Sequence, residues 1–244
     1  LLVDALFDLT VADGRPPRLH DHLPADLIDG FLAGGLGLGC VDAAFATHDH
    51  DDHHAPGPAS RYLDHCGETV LVRPPALIGP EADPARTVAT RAGFGERTLE
   101  AAGGVRYTAL GLRHASSSGR PSDRPHVGYV LHLGPWDVIH LGDAAVSPRN
   151  LAVLDRYASP GWTVVLAPWW FVTDPDGRIW LAERSRARHV VALHANRGNH
   201  GEIAAAIASL AAELPPTALP GRRLASLVFD EVGATGPDGV QADE

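Results

Sequence analysis

The sequence predicts an α/β protein that folds as a four-layer αββα sandwich. Short segments in which apolar and polar residues alternate, as in β-strands, occur along the chain. Between them lie segments whose apolar residues recur at helical spacing. Histidine and aspartate residues follow directly after several of these strands, which places a candidate site along one sheet edge. At 244 residues the chain can bury a large core in one domain, predicted over residues 1–232 with a polar tail over 233–244.

The overall composition is that of a globular protein. Hydrophobic residues make up 45% of the chain and charged residues 20%, which are ordinary values. The formal net charge of −10 argues against nucleic acid, because proteins that bind phosphate backbones usually carry a basic surface. No apolar run approaches the ~18 residues that a membrane-spanning helix requires, and no signal peptide is recognised. These features favour a small-molecule substrate and leave a homo-oligomer open.

The chain contains two cysteines, Cys40 and Cys66. Two cysteines do not make a disulfide framework, and neither stands in a spacing typical of metal ligands. We expect both to be small buried apolar residues. A reducing cytoplasm is therefore the expected location of the protein.

Residues 47–54 form a loop crowded with imidazoles and carboxylates behind a short apolar strand at 41–46. So many donors cannot be buried without a compensating charge, because each unpaired polar group costs several kcal/mol. His48 and His50 alternate and can aim at one ion, and Asp52 and His53 follow closely enough for a second. Such ligands suit zinc, manganese or iron rather than calcium. The alternative interpretation is a solvated, histidine-rich acidic loop.

Predicted strands and helices alternate around this loop. Pro24 suits the first turn of a helix, and Leu27, Ile28 and Phe31 follow it at helical spacing. Residues 74–97 are rich in Pro, Gly and Arg and are predicted to be loop. The elements predicted up to this point are strands at 1–7, 41–46 and 69–73 and helices at 24–32 and 58–66.

Two further candidate residues lie at predicted strand ends in the middle of the chain. His114 follows a strand at 105–112, and the polar residues 115–125 are predicted to form an exposed loop. A hairpin around Gly134-Pro135 joins strands at 126–133 and 136–141 and leads into Gly142-Asp143. Gly142 allows a close backbone approach, which leaves Asp143 free to project from the strand end.

The last third of the chain carries one more histidine at a strand end. His194 follows a strand at 190–193. An aromatic cluster at 168–171 is either part of the core or an apolar wall for substrate. The remaining predicted elements are strands at 162–167 and 224–232 and helices at 148–157, 179–188 and 203–214.

The motif His48-x-His50-x-Asp52-His53 resembles the signature of the metallo-β-lactamase fold superfamily. That resemblance implies three further site residues later in the chain: a histidine, an aspartate after a strand, and a final histidine. His114, Asp143 and His194 occupy these positions in this order. It implies two divalent metal ions, zinc first, with manganese or iron as alternatives. The first ion would be held by His48, His50 and His114, the second by Asp52, His53 and His194, with Asp143 bridging. It also implies that the opening strands of the fold lie upstream of Leu1.

The resemblance also implies a hydrolytic activity. A hydroxide bound by the two ions would attack a lactone, ester, amide or phosphodiester, with Asp52 and Asp143 as the catalytic carboxylates and Asp52 passing a proton to the leaving group. The chain is most similar to the L-ascorbate-6-phosphate lactonase branch, through Val3-Asp4, residues 128–130 and Gly142-Asp143. In that branch Asp4 would support the metal site. Ala144 departs from the pattern, where threonine is common.

Several alternatives remain within the same resemblance. A phosphodiesterase or nuclease of this fold would use the same ligands, and the net charge disfavours it. A di-iron oxidoreductase would usually have Glu in place of His50. A non-catalytic relative would bind metal without turnover. A phosphorylated substrate would favour an arginine near the ions, and Arg113 and Arg197 are the nearest in sequence to candidate ligands.

Overall fold

Two β-sheets with helices on their outer faces make up the part of the chain that the structure describes. The structure is a computed structural model. It describes residues 1–4, 25–33, 35, 39–75, 77, 84–116, 120–157, 162–196, 198–220, 228–229 and 234–235.

The first sheet has four parallel strands. They are β1 (Leu2–Val3), β2 (Ala43–Phe45), β3 (Val70–Arg73) and β4 (Thr87–Ala89), hydrogen-bonded in that order. Val3 pairs with Phe45, and Phe45 pairs with Val72. All three residues of β2 are buried, because both faces of this sheet are covered.

The second sheet has seven strands, β5 to β11, which lie side by side in sequence order. Neighbours from β5 to β8 are antiparallel, and neighbours from β8 to β11 are parallel. The strands are β5 (Arg97–Ala102), β6 (Val105–Ala115), β7 (Pro121–Leu133), β8 (Trp136–His140), β9 (Trp162–Pro168), β10 (Ala187–Leu193) and β11 (Thr217–Ala218).

Several helices begin at residues suited to a helix start. Ser147 caps α3 by accepting a hydrogen bond from Asn150 N, and Asp174 caps α5 by accepting from Asp176 N and Gly177 N. The helices are α1 (Ala25–Leu32), α2 (Pro56–His65), α3 (Pro148–Leu154), α4 (Trp169–Thr173), α5 (Pro175–Ile179) and α6 (His200–Ser209), with a π-helical turn at Trp180–Arg184 and a 3-10 turn at Ala211–Glu213.

Three hydrophobic clusters separate four layers. Between the sheets, Phe45 and Val72 of the first sheet pack against residues of β6 and β7 such as Tyr107 and Tyr129. A second cluster joins α1 and α2 to the outer face of the first sheet. The third joins helices α3, α4 and α6 and the π-helical turn to the outer face of the second sheet. The order is helix, sheet, sheet, helix, so the predicted αββα fold class is confirmed.

One strand and part of another lie where the sequence predicted loop, and a third lies mostly where no element was predicted. β4 and most of β5 were not predicted, and β7 begins at Pro121 inside the segment predicted as an exposed loop. Residues 97–102 are mostly exposed or half-buried, because β5 is the edge of its sheet. Pairing with β6 decides the conformation of these residues, and such pairing produces little recognisable pattern in the local sequence.

The expectation for the cysteines is wrong. Cys40 and Cys66 are joined by a disulfide, and only Cys66 is buried. The bond ties the segment before β2 to the C-terminal end of α2, with His65 beside it. The argument for a reducing location rested on the absence of a disulfide, so it loses its basis.

The C-terminal segment contributes a short antiparallel pair, β12 (Val228–Phe229) with β13 (Ala234–Thr235). β13 lies inside the segment predicted as a polar tail. Among the residues described, no helix has the length and apolar character needed to cross a membrane.

Candidate metal centre

Seven predicted ligands come together at one end of the sandwich, where four strands stop. The loop 47–54 follows β2, His114 lies near the end of β6, Asp143 follows β8, and His194 follows β10. The loop turns back on itself because His50 O accepts hydrogen bonds from both His53 N and His54 N. Because of this turn, the candidate ligands of the loop face the candidate ligands carried by the second sheet.

The first group of donors gathers around the Nε2 atom of His48. His50 Nδ1 lies 2.9 Å from it, and His114 Nε2 lies 3.2 Å from it. Asp143 Oδ2 lies 3.9 Å from the same nitrogen and 3.5 Å from His114 Nε2. Each of these four residues offers one ligand atom within 4.8 Å of the others. Three imidazoles and a carboxylate from three separate stretches therefore meet at one point.

The second group consists of Asp52, His53 and His194. Asp52 Oδ2 lies 3.8 Å from His53 Nε2 and 3.5 Å from His194 Nε2. Asp143 reaches this group as well, with Oδ1 3.1 Å from His53 Nε2 and Oδ2 3.2 Å from His194 Nε2. Asp143 thus lies between the two groups.

Asp4 supports the loop from the first sheet. Its Oδ1 accepts a hydrogen bond from Thr47 N, and its Oδ2 lies 2.8 Å from Thr47 Oγ1 and 2.9 Å from His53 Nδ1. Thr47 Oγ1 in turn lies 2.9 Å from His48 Nδ1. The Nδ1 protons of His48 and His53 are thereby engaged, which leaves their Nε2 lone pairs aimed at the centre.

Two buried histidines complete the surroundings, and the sequence analysis assigned them no role. His126 Nε2 accepts a hydrogen bond from Asp143 N, and His140 Nδ1 accepts one from Gly142 N. Together they hold the backbone that carries Asp143. Both histidines lie at ends of predicted strands, as the candidate ligands do. This position is the sequence feature that could have identified them.

Charge and burial act against each other within the centre. Burial lowers the pKa of His48 far below its ordinary value. Burial also opposes protonation of His194, but its hydrogen bonds to Asp143 and Asp52 outweigh this and raise its pKa to about 9. Burial opposes protonation of His53 as well, but Asp4 and Asp143 outweigh it and raise the pKa of His53. Burial disfavours the charge on Asp143, yet the surrounding imidazoles hold its pKa well below the usual range.

The donor set fits metal ions. His48 Nε2 faces two other ring nitrogens, and one nitrogen with a single proton or a single lone pair cannot satisfy both. Asp143 Oδ1 is buried and accepts no hydrogen bond of good geometry from the described residues, although His53 Nε2 is close. Converging lone pairs with an unsatisfied carboxylate oxygen are what imidazole- and carboxylate-binding ions require.

The aromatic cluster after β9 lies in part in the core, which is one of the two roles that the sequence left open. Phe171 is fully buried in the core. Trp170 contacts the ring of His194 at 4.9 Å between centroids and donates a hydrogen bond to Ala144 O. Trp170 therefore orients a candidate ligand. A cavity of about 320 Å³ opens over the second group and is lined by both polar ligands and the apolar Leu193.

A second cavity, of about 390 Å³, has none of the candidate ligands among the described residues of its lining. Its lining includes His126 and two arginines that are close in sequence to candidate ligands. Arg124 pairs with Asp49, which lies between His48 and His50, and Arg113 lies over the ring of Phe94. The other arginine of interest, Arg197, lies outside the described residues.

No protein-family model and no curated protein matches the sequence. Solved structures do match. The isothiocyanate hydrolase from Delia radicum gut bacteria has a TM-score of 0.54 and 16% identity, over 90% of this chain and 88% of that one. The metallo hydrolase Igni18 from the archaeon Ignicoccus hospitalis has a TM-score of 0.51 and 18% identity, over 76% and 78%.

A third match names the fold itself. The metallo-β-lactamase fold protein YhfI from Bacillus subtilis has a TM-score of 0.50 and 12% identity, over 74% of each chain. Identities this low carry no information on substrate, but the agreement over most of each chain establishes the architecture. The chain has the metallo-β-lactamase fold.

Proposed function

We propose that this protein is a metal-dependent hydrolase that binds two divalent ions, preferably zinc, and cleaves a lactone, ester or phosphoester bond in a small molecule. The observation that carries the proposal is the position of Asp143. Its two carboxylate oxygens lie within 3.5 Å of nitrogens from His53, His114 and His194, which belong to both groups of donors. A single carboxylate shared in this way suits a pair of ions.

Bound at these two groups, divalent ions would polarise the reacting oxygen of a substrate and lower the pKa of a water molecule toward neutrality. Asp143 keeps the two groups of ligands together and remains ionised because imidazoles surround it. Asp4 and Thr47 orient the rings of His53 and His48. These contacts set the geometry before substrate arrives, which is the condition for electrostatic catalysis.

We assign the proton transfer to Asp52. Its side chain is more exposed than that of Asp143, and it lines the cavity of about 320 Å³ together with His53 and His194. A carboxylate at the open side of a site can receive a proton from water and pass it to a leaving group.

Small-molecule hydrolysis fits the surroundings better than nuclease activity. The chain carries a net charge of −10. Asp49 on the metal loop is paired with Arg124 and neutralises the charge of that arginine. The net negative charge of the chain disfavours binding of a long anionic strand. A compact lactone or ester fits a cavity in the size range of small-molecule sites. The lactonase-like assignment follows from the Val3-Asp4 pair, whose carboxylate supports the loop.

The test is metal analysis combined with hydrolysis assays on wild type and His50→Ala. We expect wild type to hold close to two equivalents of zinc, measured by inductively coupled plasma mass spectrometry, and to hydrolyse a member of a lactone, ester and phosphodiester panel. We expect His50→Ala to lose metal and more than ~100-fold in kcat/KM, because one donor of the first group is removed.

The matched control is His65→Ala, since His65 is exposed near the C-terminal end of α2 and lies outside both groups. It should retain metal content and activity. Full metal occupancy without turnover on any substrate would identify a non-catalytic metal-binding protein. Activity that persists in metal-free His50→Ala would contradict the proposed mechanism.

A further inference from the structure

A third cavity, of about 710 Å³, lies at the end of the second sheet opposite to the metal centre. Arg106 at the start of β6 and Arg188 at the start of β10 line it, whereas His114 and His194 lie at the other ends of the same strands. His194 lies six positions after Arg188 along the strand, which corresponds to roughly 20 Å at about 3.3 Å per residue. The cavity is therefore distinct from both groups of metal donors.

The lining of this cavity is strongly basic. Arg106, Arg186 and Arg188 line it, and none of the three forms a hydrogen bond or ion pair with the residues that the structure describes. The one carboxylate in the lining, Asp137, is buried and bonded through Oδ1 to His132 Nδ1 and through Oδ2 to the hydroxyl of Tyr157. Among the described residues, the lining thus holds three guanidinium groups against one carboxylate, in a chain whose net charge is −10.

The backbone presents two of these arginines in unusual conformations. Arg186 has a φ of 55°, in the left-handed region that residues with a side chain rarely adopt. Arg188 is the extra residue where the register between β9 and β10 shifts, and such bulges redirect a side chain. Its guanidinium lies 4.6 Å from the centre of the Trp162 ring, which fixes its plane.

We infer that this basic cavity binds a small molecule carrying a diphosphate or triphosphate group. Guanidinium groups present planar pairs of N–H donors that match phosphate oxygens, and three of them suit a multiply charged anion better than a single carboxylate. The volume lies within the range of small-molecule sites. A nucleic acid strand is disfavoured, because it would extend beyond the cavity along a chain whose net charge is −10.

The experiment is calorimetric titration with inorganic pyrophosphate and with adenosine triphosphate, both in the absence of added metal. We expect saturable binding of one equivalent to wild type. The variant Arg106→Gln/Arg186→Gly should bind at least ~10-fold more weakly, since two charged donors are lost. Glycine is chosen at position 186 because it adopts the observed φ without strain. Circular dichroism establishes that the variant is folded.

The same titration in His50→Ala separates this cavity from the metal centre. Binding that persists in His50→Ala and is lost in the double arginine variant supports the inference, whether or not the metal centre proves to be hydrolytic. Arg149→Gln, an exposed charge change on α3, is the control and should bind as wild type does. Tighter binding of the nucleotide than of pyrophosphate would show that its base also contributes, and equal binding would show that the phosphates suffice.

Three outcomes would overturn the inference. The first is no saturable binding of either anion to wild type. The second is binding that is lost in His50→Ala and kept in the double arginine variant, which would place the anion at the metal centre. The third is binding of an acidic peptide or a DNA oligonucleotide in place of both phosphate compounds.

Discussion

Asp4 shows how one residue can hold a site together without being a ligand. Its backbone follows β1, and Asp4 N donates to Phe45 O, which places the carboxylate beside Thr47. From there it binds both Thr47 and His53, and its Oδ2 lies 3.5 Å from His140 Nε2. Burial opposes its charge, but His53, His140 and Thr47 N outweigh this and lower the pKa of Asp4. A neutral side chain could not do the same.

We expect Asp4→Asn to weaken metal binding about 10- to 100-fold, the usual effect of losing the partner that orients a ligating histidine. The loss should fall on the second group, because His53 belongs to it. Competition with a chromogenic zinc chelator measures the affinity, and kcat/KM should decline in parallel. Asp29→Asn, at an exposed carboxylate paired with Arg61, is the control. Equal zinc affinity in Asp4→Asn and wild type would contradict the supporting role.

At the scale of the elements, the connection from β8 to α3 decides where Asp143 points. Gly142 has a φ of 51°, and a Cβ there would lie 2.7 Å from His126 Nε2 and 2.8 Å from Thr47 Oγ1. The two sheets therefore approach each other closely beside Asp143, which lies near both groups of donors. Only glycine allows this approach.

Gly142→Ala should displace His126 or Thr47 and so weaken zinc binding at least ~10-fold, with a loss of about 1–3 kcal/mol in the free energy of unfolding. Chelator competition and urea unfolding measure the two effects. Gly134→Ala is the matched control, because Gly134 also has a positive φ, 61°, but has open space around it. That variant should lose stability and keep its zinc affinity. Unchanged zinc affinity in Gly142→Ala would show that the close approach is not needed.

The elements also show where sequence patterns are informative. β6 and β8 carry apolar alternation and a ligand at or just after their end, so both could be predicted. β4 and β5 could not, because short edge strands need no apolar face and take their conformation from the neighbour they pair with. The helix predicted at 179–188 ends earlier, in a π-helical turn at Trp180–Arg184, because β10 begins at Ala187.

For the whole molecule, the Cys40–Cys66 bond closes a segment with a sequence separation of 26 that contains β2 and the metal loop. Chain-entropy arguments give about 3–4 kcal/mol for a loop of this size. We expect Cys40→Ser, which alters an exposed atom, to lower the midpoint of thermal unfolding by roughly 7–14 °C. Differential scanning calorimetry measures the shift.

Reduction provides the control for this prediction. Dithiothreitol should lower the midpoint of the wild type to that of Cys40→Ser and should leave the variant unchanged. A variant that unfolds at the midpoint of the oxidised wild type would show that the bond does not stabilise the fold.

The sequence by itself determined the chemistry of the centre and the order of its parts. A histidine-rich loop after a strand, and further donors after later strands, identify candidate ligands, although the loop follows a strand of the first sheet and the other donors follow strands of the second. Only the tertiary structure decided which side chains support those ligands. Asp4, His126 and Trp170 act through contacts across 17 to 49 positions of chain, and local periodicity carries no record of such distances. The disulfide and the three arginines gathered at the far end were decided in the same way, because both depend on which distant segments the packing of the two sheets brings together.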